Sequence, residues 1–249
     1  MDNYQHNLSD KHQSMFDIEG RIIKAKKTIA VLKDYLNNTD TLTLLDIGCS
    51  SGIMTNEYAK FFKKVIGIDI DSNAVEYAKL NSNSSNVEYF ITPIEESKLR
   101  PESFDVITCS HIYEHVPSSE VLMKKIFELL KPGGVCYFAA GNRFKIIEAH
   151  YKLPFLSWLP KKLANVYIKI FTNENEYYEK HLSLKKLKEL VRDFEVTDYT
   201  LKIIKDPKRY SANEIVKEKT IKYFVVNFLS KFLYFIFPTY IWILRKPIN

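Results

Sequence analysis

The feature that most narrows the fold is an alternation, between residues 42 and 140, of short apolar runs with amphipathic stretches. Runs at 42–47, 65–70, 87–91, 104–110 and 135–140 have the length and composition of buried strands. Between them, residues 53–62, 72–81 and 118–130 read as helices. Strands that each return through a helix pair in parallel, which predicts a doubly wound α/β sheet with helices on both faces. An earlier amphipathic helix is predicted over 14–37, where Met15, Ile18, Ile22, Ile29, Leu32 and Leu36 recur three, four or seven apart.

After Ala140 the alternation stops, and 143–182 becomes rich in aromatic and basic residues, including Phe155, Trp158 and Tyr167, as expected of an inserted lid. A helix at 183–192, a strand at 194–204, a long apolar helix at 213–236 and a last strand at 240–244 would then complete a seven-stranded, mostly parallel sheet. The expected organisation is one domain: a cap helix within 1–40, a ligand-binding core over 41–142, the lid over 143–182, and sheet completion over 183–249.

At 46% hydrophobic and 27% charged residues, the 249-residue chain supports a packed core and argues against disorder or a disulfide scaffold. Cys49, Cys109 and Cys136 are odd in number and fall in apolar runs, which suggests buried thiols in a reducing compartment. The polar opening residues lack the apolar stretch of a secretory signal, so a cytoplasmic location is expected. The net charge of +6 hides an asymmetry, since residues 1–142 hold 15 Lys/Arg against 19 Asp/Glu and residues 143–249 hold 21 against 11. A basic, aromatic half could face nucleic acid or an anionic membrane surface.

The segment 44–52 (LLDIGCSSG) runs a strand into a glycine turn and a helix, which marks a ligand crevice. Glycines let the backbone approach a ligand, and the N–H groups of the following helix favour an anion. Asp69 ends the next strand 21 residues after Gly48, a spacing that suits a carboxylate accepting ribose hydroxyls. A nicotinamide fingerprint would need three glycines, and Ser50 stands where the middle one belongs. The turn also satisfies Gly-x-Ser-x-Gly, which would make Ser50 a hydrolase nucleophile, but only one helix precedes this strand and an oxyanion-hole loop should come first.

With these residues the chain resembles the class I S-adenosylmethionine-dependent methyltransferases over about 40–142. Residues 44–52 resemble that family's first motif, 65–71 (VIGIDID) its ribose-binding strand end, 103–116 (SFDVITCSHIYEHV) its fourth-strand motif, and 129–134 (LLKPGG) the turn before its fifth strand. The resemblance implies a Rossmann-like fold and S-adenosylmethionine as cofactor, held by Asp46, Gly48, Cys49, Ser50, Gly52, Asp69, Ile70, Pro93, Ile94, Glu95 and Ser110. The methionine carboxylate would sit at the 48–52 turn, the ribose on Asp69, the adenine between Ile70 and the 93–95 loop, and the methyl toward Ser110 and His111. The stretch Tyr113-Glu114-His115-Val116 with Asn142-Arg143 looks like the quinone-biosynthesis O-methyltransferase branch. The Asn/Asp-Pro-Pro-Tyr/Phe motif of enzymes that methylate nucleic-acid amines is absent, which disfavours a base N-methyltransferase.

Methyl transfer is a displacement at an activated carbon, so positioning contributes much of the rate and a base is needed only for a hydroxyl acceptor. His111, Glu114, His115 and His181 are the candidate catalytic residues, with His150 at the substrate rim; Glu114 and His115 could equally fix the loop. Glu148 with His150, or Glu114 with His115, pairs carboxylate with imidazole, but neighbouring pairs alone do not make a metal site and none is assigned. In 213–236, Ile221, Phe224, Val225, Phe228, Leu229, Phe232, Leu233 and Ile236 would share one face opposite Lys217, Lys219, Lys222 and Lys231. The uncharged run is too short to span a bilayer, so peripheral membrane contact, a partner face or a core helix remain. The expected partner is a small-molecule or lipid-linked acceptor, not nucleic acid. A protein or RNA methyltransferase and a catalytically silent cofactor-binding module are the alternatives.

Overall fold

The computed structural model describes residues 13–214, 217–230 and 232–248. In chain order the elements are α1 (Ile18–Leu36), β1 (Thr43–Ile47), α2 (Ile53–Ala59), β2 (Lys64–Asp69), α3 (Ser72–Leu80), β3 (Val87–Ile91), β4 (Phe104–Ser110), α4 (Ser119–Leu129), β5 (Leu130–Gly141), α5 (Lys161–Phe171), α6 (Leu184–Leu190), β6 (Glu195–Asp198), α7 (Thr200–Lys205), α8 (Ile221–Leu229) and β7 (Thr239–Arg245). Short polar side chains start the helices where the pattern predicts them. Asp17 accepts from Gly20 N–H at 3.1 Å, Asp71 from Ala74 N–H at 3.1 Å and Ser118 from Val121 N–H at 3.3 Å, each cap contributing about 1 kcal/mol.

The strands form one seven-stranded sheet in the order β3-β2-β1-β4-β5-β7-β6. The first five are parallel, and β7 runs antiparallel to both β5 and β6. Successive residues of each central strand serve opposite faces. Leu44, Val65, Val106 and Val135 pack toward Ile29 and Leu32 of α1 and Tyr58 of α2, while Leu45, Ile66, Ile107 and Cys136 pack toward Leu122 and Ile126 of α4 and Leu187 of α6. Burial on both faces is why these strands read as continuous apolar runs. The chain leaves β1 toward β2 on one side and later returns to β4 on the other, so the switch point lies at the carboxyl end of β1, where α/β sheets bind ligands.

Two expected elements change. The run at 194–204 is a strand only over Glu195–Asp198; Asp198 Oδ1 then accepts Thr200 N–H at 2.8 Å and opens α7, whose Ile203 and Ile204 are buried. A short apolar run fits either state by pattern, and the pairing with β7 ends where the side chain of Asp198 captures the backbone. The long helix expected over 213–236 is replaced by the nine-residue α8, which starts where Thr220 Oγ1 accepts Tyr223 N–H at 3.2 Å. Past Ser230 the chain turns to enter β7, and Asn142 Nδ2 holds the Phe235 and Phe237 carbonyls at 2.7 and 2.9 Å. Residues 1–12, 215, 216 and Lys231, and the Lys222 side chain, lie outside the described residues, and with them parts of the expected cap and amphipathic helices.

Residues 143–182 leave and rejoin the sheet at neighbouring points, since Asn142 bridges Leu182 and Arg143 N–H donates to the Leu182 carbonyl at 3.0 Å. The segment has a small core of its own, made by Leu156, Ala164, Ile168 and Tyr177.

Candidate functional site

At the end of β1 the backbone is forced into left-handed conformations by its surroundings. Gly48 has φ +72°, and a Cβ there would lie 2.1 Å from Ile112 Cδ1. Gly52 has φ +70°, with Ala78 Cβ and Tyr89 Oη each 2.6 Å from where its Cβ would be. Ser50 adopts φ 51° without being glycine. The turn is held by Asp69, whose Oδ2 accepts Ser50 N–H at 2.8 Å while Oδ1 accepts Asp71 N–H at 3.0 Å. The strand-end carboxylate thus braces the turn, and lone pairs remain on both oxygens for a ligand.

Above this turn opens a cavity of about 460 Å³, within the range of small-molecule and cofactor sites. Of the residues expected to hold a cofactor, Asp46, Gly48, Cys49, Ser50, Asp69, Ile70, Pro93, Ile94, Glu95 and Ser110 line it, and His111 and His115 join them from the end of β4. Gly52 does not; its place in the turn is dictated by packing on Ala78 and Tyr89. The cavity also takes in Met15, Arg21 and Lys24 from the α1 side, Met54 of α2, and Ala149 and His150 of the 143–182 segment. Nothing local in the sequence marks the α1 contributors, because a charged residue near the start of a helix is ordinary.

The charges in the cavity are distributed unevenly. Asp46 is buried and pushed up to about 6 by desolvation, against hydroxyl donors from Thr108 and Thr55 at 2.6 Å each. Burial likewise raises Asp69 above the usual carboxylate range, opposed by its backbone donors. The Arg21 guanidinium is lowered by its own burial but is attracted to both aspartates. Ser50 lines the cavity, and its Oγ is buried with no hydrogen-bond partner among the described residues.

At the other end, His111 sits in the left-handed region with φ 57°, and its Nδ1 lies 3.2 Å from Glu114 Oε1. Burial alone would raise the fully buried Glu114, but the hydrogen bond from His111 and the charges of His111, His115 and His181 hold it down at about 2. Glu114 does not itself line the cavity; it acts on it through His111. The His115 ring, lowered by burial, meets the His150 ring edge-on with centroids 5.2 Å apart.

His181 is separated from the cavity. Its side chain is buried with Nε2 2.8 Å from Lys145 Nζ, and Lys145 also donates to Glu148 Oε1 at 2.8 Å. Glu148, despite burial, is held well below the carboxylate range by His181 and Lys145. Among the described residues no group of three or more His, Cys, Asp or Glu is arranged to hold a metal ion. The three cysteines are free and buried.

A doubly wound sheet with a glycine turn, a strand-end aspartate and a cavity at the switch point defines a nucleoside-cofactor-binding α/β protein. The comparisons narrow this class. Residues 45–138 match the methyltransferase domain family. The ubiquinone biosynthesis O-methyltransferase of Saccharophagus degradans is 38% identical over 153 residues, covering 57% of this chain and 65% of the relative. That of Albidiferax ferrireducens is 30% identical over 162 residues, covering 60% and 64%. The chain therefore matches somewhat less than two thirds of the length of these relatives. Among solved structures, Haemonchus contortus phosphoethanolamine N-methyltransferase 2 with S-adenosyl-L-methionine superposes with a TM-score of 0.54 at 20% identity, over 88% of this chain and 52% of that one. The [4+2]-cyclase SpnF superposes with a TM-score of 0.55 at 14% identity, over 90% and 82%. At such identities the likeness is one of fold, and the two names show that this fold hosts different chemistry. Over residues 45–138 the chain is thus similar to the S-adenosylmethionine-dependent methyltransferases. The cofactor of that family fits the residues present, because Asp69 lines the cavity and its carboxylate keeps acceptor capacity beyond the bonds from Ser50 and Asp71 N–H.

Proposed function

We propose that the protein transfers a methyl group from S-adenosylmethionine to a hydroxyl oxygen of a small apolar, lipid-linked or glycan acceptor. The observation that carries this reading is the junction, in one cavity, of the Gly48–Ser50 and Asp69 cradle with a histidine backed by a buried carboxylate. When bound, the cofactor supplies a methyl group on a positively charged sulfur. Arg21 and Lys24 offer cations to the carboxylate end, the free lone pairs of Asp69 take ribose hydroxyls, and Ile70 and Ile94 flank the base with Pro93 and Glu95 at its edge.

His111 is the proposed base. A carboxylate accepts, so Nδ1 carries the proton shared with Glu114 and Nε2 is left as the acceptor for a hydroxyl proton. Glu114 positions the ring and balances the imidazolium as it forms. His115 and His150, with Ile112 and Val116, wall the acceptor end and favour a small ring or apolar group over a polymer. His181 is a positioning residue that, with Lys145 and Glu148, ties together the two ends of the 143–182 segment, which serves as the lid of a single methyltransferase domain. The buried free thiols support a cytoplasmic site of action, at the inner face of the membrane where lipid-linked acceptors are found.

Calorimetric titration of the purified chain with S-adenosylmethionine, its demethylated product and NADH tests the cofactor. Binding of the first two and not the third is expected. A folded sample that binds neither would discard the methyltransferase reading and return attention to Ser50. Methylation assays on catechols and on lipid and glycan extracts then test the acceptor, and transfer only to RNA or protein would overturn it.

A further inference from the structure

We infer that the surface made by α8 and the turn after it, up to Phe237, docks on an anionic lipid bilayer. The helix has the sequence IKYFVVNFL, and none of its described side chains is buried. Ile221 is 85% exposed, Phe224 62% and Phe228 73%, followed by Phe232 at 71% and Phe235 at 51%. A helix this apolar normally lies inside a protein. The four phenylalanines alone expose roughly 500 Å² at about 200 Å² per side chain, which by itself matches the largest apolar patch of a typical monomer, about 300–600 Å². Among the described residues no helix is long and apolar enough to cross a membrane, so the fit is to the interface plane.

Charge decides between a bilayer and a second copy of the chain. Between Thr200 and Tyr234 the sequence holds eight Lys/Arg against three Asp/Glu. Lys217 and Lys219 are exposed immediately before α8, and Tyr223 Oη donates to the Lys205 carbonyl at 2.7 Å, which lays the helix beside α7 with its exposed Lys202 and Lys205. Of the acidic residues, Glu214 is paired with Lys27 at 3.1 Å. A cationic surround about an apolar face complements anionic headgroups, whereas a self-complementary dimer would bring like charges together. The face is also tied to the functional end of the sheet: just past β5, the Asn142 amide holds the Phe235 and Phe237 carbonyls and its N–H donates to the Pro238 carbonyl at 3.0 Å. Docking therefore brings the carboxyl ends of the strands, where the cavity opens, toward the headgroup layer. Only this last consequence rests on the lipid-linked acceptor of the proposed function.

The test is flotation of the full chain with vesicles of phosphatidylcholine alone and of phosphatidylcholine mixed with phosphatidylglycerol. The wild type is expected to bind the mixed vesicles on the order of tenfold better, and Phe224→Asp with Phe228→Asp to lose that binding by a similar factor while S-adenosylmethionine titration is unchanged. Lys217→Glu with Lys219→Glu, which leaves the apolar face intact, is expected to reduce only the preference for phosphatidylglycerol. Wild-type flotation by the folded phenylalanine variant would overturn the proposal. So would a wild type that ignores both vesicles and sediments as a dimer that the variant makes monomeric. Vesicle binding needs no acceptor, so a chain that floats but methylates nothing keeps this inference and loses the functional one.

Discussion

Glu179→Gln should make the protein more stable at alkaline pH while leaving it little changed in acid. Glu179 is a buried residue of the 143–182 segment, with no hydrogen-bond partner for its Oε2 among the described residues. Burial raises its carboxyl from 4.5 to about 7, helped by the negative charges of Glu148 and Glu114 and opposed by its own backbone hydrogen bond and by Lys145. A folded-state value above the unfolded one means that the stability present below the unfolded value is lost as pH rises through the folded value. The shift corresponds to about 3 kcal/mol at 1.36 kcal/mol per unit. The glutamine keeps the shape of the protonated acid and cannot ionise. Thermal unfolding of both proteins at about pH 5 and about pH 8.5 should give similar midpoints in acid and a variant that melts roughly 6–10 °C higher in base. An equal difference between the two proteins at both pH values would refute the reasoning, because it would mean that Glu179 does not change its ionisation within that window.

Three further outcomes follow from the cavity. Asp69→Ala removes the acceptor for Ser50 and Asp71 N–H as well as the ribose site, so calorimetry should record cofactor affinity lower by at least about tenfold; wild-type affinity in a folded variant would remove the ribose assignment. Ser50→Ala deletes, from a residue that lines the cavity, a buried hydroxyl with no hydrogen-bond partner among the described residues, and S-adenosylmethionine should bind about three- to tenfold more weakly with little change in melting temperature. Glu114→Gln should lower kcat about a hundredfold while leaving cofactor affinity intact, whereas a purely structural role would lower both through loss of folded protein.

Much of the cofactor end was legible because its parts are adjacent in the chain. Gly48, Ser50 and Asp69 are set by strand length and turn chemistry, and the structure puts them on one wall of the cavity. Gly52 stands in the same turn outside the cavity wall, where Tyr89 and Ala78 leave no room for a side chain. Arg21 and Lys24 were missed because their place in the cavity wall depends on how α1 lies across the sheet. His181 is a candidate by sequence as a histidine near a helix start; its contact with Lys145, 36 residues away, which places it apart from the cavity, is a matter of tertiary structure.

The order of strands and helices from β1 to β5 was determined by the sequence alone, since a pattern of apolar residues and caps acts over a few residues and burial on both faces of a parallel sheet leaves a run that is hard to mistake. What only the tertiary structure decided was everything that depends on a distant partner. Asp198 ends β6 at Thr200, Asn142 draws the Phe235 and Phe237 carbonyls to the end of β5, and α8 is left with an apolar surface that nothing in the chain covers among the described residues. A local pattern reports which residues prefer burial, and it carries no information about whether the fold supplies something to bury them against.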